Sequence, residues 1–506
     1  MRDRLSYYYQ SYPLCFLLIV AGLLRFISVL FAKGYYAHDD HFLVVGVAQD
    51  WVNGLDRDGW FVKSFETNES GRNLLYPGLH YILFSFLEKN GIYSVEVKMF
   101  IVRLIHATYS LLIVSMSYRI GLLLTTKKRA FIIGLLMSLI WFVPFVSVRN
   151  LIEWVSVPPL LYVGYLLTKE SKNYSLPFYL CIISGVLLGV SFSIRYQTIL
   201  VALGYGLGVL YFQRWKTVLG LVVGFLAYFV VVHGYVEYLM CNQYFGKLIS
   251  YVTYNIENAH TYFSEPWFIH LIYLNVFVVP PIGFLFTFGT LRVKKERLIL
   301  FLGFLLFFVY HSYFPNKQER FIFTIVPHFV ILGMVGFSEF YDKSKFWVTR
   351  KKLLNGFVVF FLVLNTYLLV FMTTFYSKQA RCEVMSYIRD ANDAVDLIIV
   401  ENTNRGGTNY TPDFYAGKPL EKIEYTENST LEKLSLQIQE KGLVPDFVLF
   451  EVQPGQELEV ERIEQMQIQF PTLIFSKRVD GSFVDHFRHK LNKVVKNYDF
   501  VVYEIK

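Results

Sequence analysis

The chain predicts an α-helical polytopic membrane protein with about eleven transmembrane helices, followed by a small C-terminal α/β soluble domain. Three observations carry that expectation. Of 506 residues, 54% are hydrophobic, and mean hydropathy is +0.39, too apolar an average for a soluble chain of this length. Charged residues make up 17%, against roughly 25% in ordinary globular chains. Those charges are also segregated: they lie between long apolar runs and in residues 377–506, as expected for a membrane domain at 1–376 followed by a soluble one at 377–506.

The first element is an apolar run from Pro13 to Phe31, preceded by Met-Arg-Asp-Arg. It lacks a small-residue cleavage site of the Ala-x-Ala kind and reads as a retained span. A span needs about 20 apolar residues. Further candidates are 97–123, 130–147, 152–168, 177–194, 197–213, 217–240, 267–290, 297–312, 320–340 and 353–376. The stretch 75–88 is too short and reads as an interfacial or re-entrant helix inside a long first loop, 33–96.

Basic residues fix the expected orientation. They cluster at Arg2/Arg4, Lys127-Lys128-Arg129, Lys169/Lys172, Arg214/Lys216, Arg292–Arg297 and Lys343–Lys352. Cytoplasmic loops are the basic ones, and all six clusters fall on one side only if 75–88 does not cross. The N-terminus is then cytoplasmic and the C-terminal domain periplasmic or lumenal, in a bacterial inner membrane or the ER. The net charge of +8 is explained by these span-end clusters, so nucleic acid is not an expected partner. The four cysteines, Cys15, Cys181, Cys241 and Cys382, are scattered, with neither metal-type spacing nor a disulfide framework.

The opposite side gathers the informative polar residues. The first loop opens Tyr35-Tyr36-Ala37-His38-Asp39-Asp40-His41-Phe42 and runs into LVVGVAQDWVNG, whose apolar spacing predicts a helix stopped at Gly54. Asp39 reads either as the N-cap of that helix or as a general base, since a carboxylate pressed against lipid has its pKa raised towards a useful range. With His38 and His41 the acidic pair could hold a divalent metal, although the spacing matches no recognised ligand set. No metal or other cofactor is expected to be required.

Arg72 precedes the short apolar stretch, as a snorkelling side chain or a phosphate contact. Three polar clusters then stand at span ends: Arg149-Asn150 with Glu153, Arg195-Tyr196-Gln197, and Asn316-Lys317-Gln318-Glu319-Arg320-Phe321. Arg195 lies in a very tight turn between apolar runs, a costly place for an unpartnered charge. A surface ion pair of Glu319 with Arg320 or Lys317 is the plain alternative there. Arginines at membrane depth suit a phosphate, which guanidinium binds in bidentate fashion, and phosphate at that depth suggests a lipid-linked one.

Taken together, the acidic motif after the first span, the aromatic-Pro-Gly segment closing the same loop and the late Lys-x-x-Arg-Phe turn resemble the GT-C glycosyltransferases. They are most similar to the family 22 polyprenyl-phosphate-mannose-dependent α-mannosyltransferases. Ala37-His38-Asp39-Asp40-His41-Phe42 resembles that family's His-Pro-Asp-Glu motif, Asp39 matching its aspartate and Asp40 its glutamate. Arg72-Asn73-Leu74-Leu75-Tyr76-Pro77 resembles its Arg-Ser-x-x-x-Pro segment, and Asn316–Phe321 its His-Lys-Glu-x-Arg-Phe motif. Ala37, His38, Asn316 and Gln318 depart from the pattern, which leaves the sugar and acceptor open.

The resemblance implies a GT-C-like fold and an inverting single displacement. Asp39, with Asp40 beside it, would deprotonate an acceptor hydroxyl. Arg320, Lys317, Arg195 and Arg72, in that order, would hold the departing polyprenyl phosphate, with His41, Glu319, Tyr196 and Arg149 in support. The implied partners are a polyprenyl-phosphate sugar donor, a glycan, lipid or protein acceptor, and the bilayer. No Gly-rich nucleotide loop is visible. An oligosaccharide ligase or polymerase is the alternative enzyme. A transporter would favour ionisable residues along the spans and internal repeats, neither of which is evident. A catalytically dead scaffold is a further alternative.

After Ser377, the segments DLIIVEN, PDFVLFEV, PTLIFSK and FVVYEI read as strands, with helices at 380–393 and 430–441. The Gly/Asn-rich stretch from Asn402 to Tyr410 reads as a turn or a ligand loop. Asn68, Asn409 and Asn428 stand in Asn-x-Ser/Thr triplets.

Overall fold

The computed structural model describes residues 11–57, 59–60, 72–172, 174–261, 264–391, 395–402, 411–426, 428–493 and 497–506. Arg2, Arg4, Asn68, Asn409 and residues 403–410 of the Gly/Asn loop lie outside the described residues.

Among the described residues, six helices are long and apolar enough to cross a membrane: Pro13–Phe31, Val95–Leu124, Trp215–Cys241, Lys295–Tyr313, Glu319–Lys343 and Lys351–Thr374. A seventh arises if Ile269–Phe277 and Ile282–Leu291, bent by 119° at their break, form one span. The chain is a multi-pass membrane protein.

Four of the eleven expected runs form helices shorter than a span. Lys127–Leu139 stops before Pro144, Val157–Glu170 begins on Pro158 and Pro159, and Phe178–Ile194 and Ile199–Tyr211 flank a short turn at Tyr196–Thr198. Proline offers no backbone donor and ends a helical ladder. Helices of 13–17 residues reach about 20–25 Å at 1.5 Å per residue, short of the ~30 Å hydrocarbon core. The expected continuous span 267–290 is likewise broken, with Pro280 and Pro281 in the gap. The stretch around 75–88 folds as Leu75–Lys89, a 15-residue helix outside the span set.

Helices in lipid gain little from apolar burial and rely on close backbone approach. Phe178–Ile194 packs on Trp215–Phe229 in this way. A Cβ on Gly224 would stand 2.0 Å from the Ile182 carbonyl oxygen, and one on Gly185 would stand 2.2 Å from that of Leu221.

The chain divides into two compact units, one of Met1–Val29, Asn53–Ile82 and Val102–Thr373, the other of Leu30–Val52, Leu83–Ile101 and Thr374–Lys506. The second unit contains a five-stranded mixed sheet: β1 (Leu397–Glu401), β2 (Glu421–Tyr425), β3 (Pro445–Val452), β4 (Leu473–Val479) and β5 (Asp499–Ile505), in the order β2-β1-β3-β5-β4. β1 is parallel to β2 and β3, and β5 is antiparallel to β3 and β4. Leu397, Ile399, Val448, Phe450 and Val501 form its core with Leu434 and Met466 from the flanking helices and Phe470 just after the second of them. The strand missing from the sequence reading is β2, an edge strand carrying Glu421, Lys422 and Glu424. Charges of this kind protect a sheet edge and hide it from a hydrophobic pattern.

The first-loop helix spans His38–Val52, and Gly54 follows it at φ +74°. It starts one residue before Asp39, so Asp39 is not its cap. Asp39 and Asp40 occupy the first turn, where the helix dipole favours negative charge.

Candidate functional site

The acidic pair is divided by its helix. Asp39 is exposed, whereas Asp40 and His41 are 4% and 3% exposed. The turn is built around Tyr35, whose ring is fully buried. Tyr35 stacks on His41 at 5.7 Å and meets Phe42 edge-on at 4.9 Å, and its hydroxyl lies 3.4 Å from His38 Nδ1. Lys378 sits 4.3 Å from the Tyr35 ring and donates to the Tyr36 carbonyl at 2.8 Å. Burial pulls that ammonium well below the usual lysine range, helped by Arg381. Burial, and then Lys378, Arg381 and Lys422, push His38 down to about 3. His38 is therefore a neutral imidazole at physiological pH, able to orient a hydroxyl but not to carry charge.

Gly34 fixes the entry to this turn. Its amide region bridges to Ser377, Ser377 N donates to the Lys33 carbonyl at 3.1 Å, and Gly34 has φ +77°. A Cβ there would stand 1.9 Å from the Ser377 carbonyl oxygen, so only glycine fits. Behind it, Gln49, Glu88 and Lys98 join three helices. Lys98 Nζ lies 2.6 Å from Glu88 and 2.8 Å from Gln49. None of these partners shows in local sequence.

The cationic residues belong to the membrane unit. Arg195 is buried and its donors are already engaged. Nη1 donates to Thr324 Oγ1 at 3.2 Å and lies 3.5 Å from Glu153 Oε1, and Nη2 donates to the Phe321 carbonyl at 2.9 Å. Phe307 and Phe321 lie against the guanidinium, and His311 Nε2 is 3.5 Å from Nη2. The sequence assigns Arg195 to a phosphate; in the structure its guanidinium holds the backbone of Phe321, next to Arg320. Glu153, Thr324 and His311 supply the partners that a charge at this depth requires.

Lys317 is buried and donates to the Phe314 and Pro315 carbonyls at 2.7 and 3.4 Å, and burial lowers its pKa. Glu319 and Arg320 are half-buried, Arg320 lying 5.6 Å from the Phe321 ring. Arg149 is buried with its guanidinium 3.5 Å from the centre of the Phe145 ring. Arg72 is half-buried, and Tyr196 is buried against Phe192 and Tyr251. The structure thus brings Arg195, Glu319 and Arg320 into one neighbourhood, and Arg149 Nη1 donates to the Phe145 carbonyl at 3.4 Å.

The histidines of the membrane unit are what the sequence reading missed. His270 Nε2 lies 3.4 Å from the Gln318 carbonyl, and its ring is 6.2 Å from that of His311. His106 Nε2 lies 2.7 Å from the Tyr76 hydroxyl, and His80 stacks on His106. Single histidines in apolar runs were the available signal. Ionisable groups also lie inside spans: Arg25 is buried and donates to Ser110 Oγ at 2.7 Å. Among the described residues, no group of three or more His, Cys, Asp or Glu side chains is arranged to hold a metal ion.

A helical membrane unit, a first-loop helix opening on an acidic pair, and a small terminal α/β sheet together define the GT-C class of membrane glycosyltransferases. Three solved structures share the fold. ArnT from Cupriavidus metallidurans, bound to undecaprenyl phosphate, aligns at TM-score 0.54 and 13% identity over 97% of this chain and 98% of that one. The Archaeoglobus fulgidus oligosaccharyltransferase tethered to an acceptor peptide aligns at 0.51 and 12%, covering 88% and 70%. The arabinofuranosyltransferase AftD from Mycobacteria aligns at 0.53 and 10%, covering 97% and 40%.

In sequence, the α-1,2-mannosyltransferase ALG9 of Mus musculus is 28% identical over 166 residues, 28% of this chain and only 26% of that protein. Residues 14–403 match the Alg9-like mannosyltransferase family, and the chain belongs to that family.

Proposed function

We propose that this protein is an inverting glycosyltransferase that moves a sugar, mannose or another hexose or pentose, from a polyprenyl-phosphate donor to a glycan, lipid or protein acceptor on the extracytoplasmic face. The observation that carries this reading is Asp39, an exposed carboxylate in the first turn of a helix inside the family-matched segment. The undecaprenyl phosphate held by ArnT supports a lipid phosphate as leaving group.

In the proposed reaction Asp39 takes the proton of the acceptor hydroxyl as its oxygen attacks the anomeric carbon. The bond to the phosphate oxygen breaks, and the configuration inverts. Asp40, buried behind Asp39, sets the position of the turn. Arg320 and Lys317, with Arg72, stabilise the phosphate charge as it develops. Arg195 acts through the Phe321 backbone rather than on phosphate. The basic clusters support about eleven crossings with a cytoplasmic N-terminus. The C-terminal domain, 377–506, would then face the periplasm or lumen. No metal enters the scheme.

The test supplies purified protein in lipid with labelled polyprenyl-phosphate sugars and, separately, polyprenyl-diphosphate glycans. Consumption of the monophosphate sugar is expected, and consumption of the diphosphate glycan alone would replace this reading with a ligase. Asp39→Asn is expected to lower turnover about 10²–10⁴-fold with the melting temperature unchanged. Wild-type turnover in that variant would sink the assignment.

A further inference from the structure

The membrane unit holds a second polar centre that the scheme above does not use. It forms where the span Trp215–Cys241 passes through a π-helical turn, Val230–Val236. Turns of that kind are rare and recur at functional sites. The turn carries His233, which is fully buried. Its Nδ1 lies 3.1 Å from Glu237 Oε1 and its Nε2 lies 2.9 Å from Ser193 Oγ. Asn73 Nδ2 donates to Glu237 Oε1 at 3.3 Å and lies 3.3 Å from His233 Nδ1. Glu237 Oε2 accepts from the Lys247 backbone N–H at 3.2 Å.

Against this satisfied framework stand Lys247 Nζ and Tyr196 Oη, two buried donors with no hydrogen-bond partner among the described residues. Their residues are 2% and 8% exposed. Both lie within electrostatic reach of Glu237, and Tyr196 also packs 5.8 Å from the His233 ring. Lys247 rests 4.9 Å over the Trp60 ring and also feels Asp56. A buried donor with no acceptor is costly, and two of them around one carboxylate point to a ligand that completes them.

Charge selects the ligand. One ammonium faces two carboxylates, Glu237 and Asp56, so a phosphate would meet net negative charge. A neutral polyol supplies acceptors to Lys247 and Tyr196 and a donor to Glu237 without that cost.

We propose that Asn73, Tyr196, His233, Glu237 and Lys247 form a hexose-binding subsite, which holds the hydroxyls of one of the two sugars in the transfer. The assignment rests on the glycosyltransferase reading only for which sugar is held.

The experiment uses the full-length protein in lipid nanodiscs. Methyl α-mannoside and methyl α-glucoside serve as soluble probes by saturation-transfer NMR, and polyprenyl-phosphate mannose with an acceptor serves for turnover. Tyr196→Phe and Lys247→Met are each expected to abolish the hexose signal and to raise one KM about tenfold, the scale of one lost buried hydrogen bond. Their melting temperatures should hold or rise, because each removes an unsatisfied donor. A rise in the donor KM assigns the transferred sugar, and a rise in the acceptor KM assigns the acceptor sugar. Hexose signals and KM values unchanged in both variants overturn the subsite, as does a large fall in melting temperature in both. If the wild type binds hexose, loses it in the variants and transfers nothing, the subsite stands and the transferase reading falls.

Discussion

Asp39 and Asp40 are neighbours in the chain and opposites in environment, and the difference can be measured. Asp39 meets solvent; Asp40 is buried behind it. Asp40→Ala is expected to cost about 1–3 kcal/mol, because partner groups around a buried carboxylate are left unsatisfied, whereas Asp39→Asn leaves stability unchanged. Thermal unfolding of the two variants separates these roles. His38 gives a second prediction. Its folded pKa of about 3 lies below the ordinary value near 6.5, so below that value the unfolded chain takes up a proton that the folded chain refuses. Stability should therefore fall as pH drops from about 7 towards 4. His38→Gln, which has nothing to titrate, should show a smaller fall in melting temperature. The acidic pair was legible because its members are adjacent in sequence. The partners of Arg195, namely Glu153, Thr324 and His311, were not, because each comes from a different part of the chain.

At the scale of elements, long apolar helices and alternating strands were readable and their interruptions were not. Pro13–Phe31, Val95–Leu124 and Lys351–Thr374 follow from hydropathy alone. The breaks at Pro144 and Pro158 and the bend at Pro280-Pro281 depend on where backbone donors fail, a signal that an apolar average erases. The start of the first-loop helix shifted by two residues, from Asp40 to His38, because Asp39 is as good a first-turn residue as a cap. Gly34 is the sharpest element-level test. At φ +77°, with the Ser377 carbonyl oxygen 1.9 Å from a would-be Cβ, Gly34→Ala is expected to destabilise by roughly 1–3 kcal/mol. A melting temperature equal to wild type would show that the bridge to Ser377 is dispensable.

For the molecule as a whole, the chain resembles a charged map laid over an apolar one. The basic clusters argue for an orientation, and single cysteines introduced at Lys294 and Glu432 in a cysteine-free background test it. A membrane-impermeant maleimide should label Glu432→Cys and not Lys294→Cys in sealed, right-side-out vesicles. Chelation offers a test at the same scale. Transfer should persist within about twofold in excess EDTA, since the scheme places phosphate charge on guanidinium and ammonium groups; a large loss restored by a divalent ion would require a metal in the mechanism.

The clasp between Lys378 and the Tyr36 carbonyl joins positions 342 residues apart. At about 5–20 residues per second, the ribosome needs roughly twenty seconds to a minute after making the first loop before it delivers the residues that hold it. Throughout that interval the turn bearing Asp39 exists without Ser377 and Lys378. The acidic turn is thus clasped only after the membrane helices have been made, and a nascent chain released early would carry the acid pair without the groups that hold its turn.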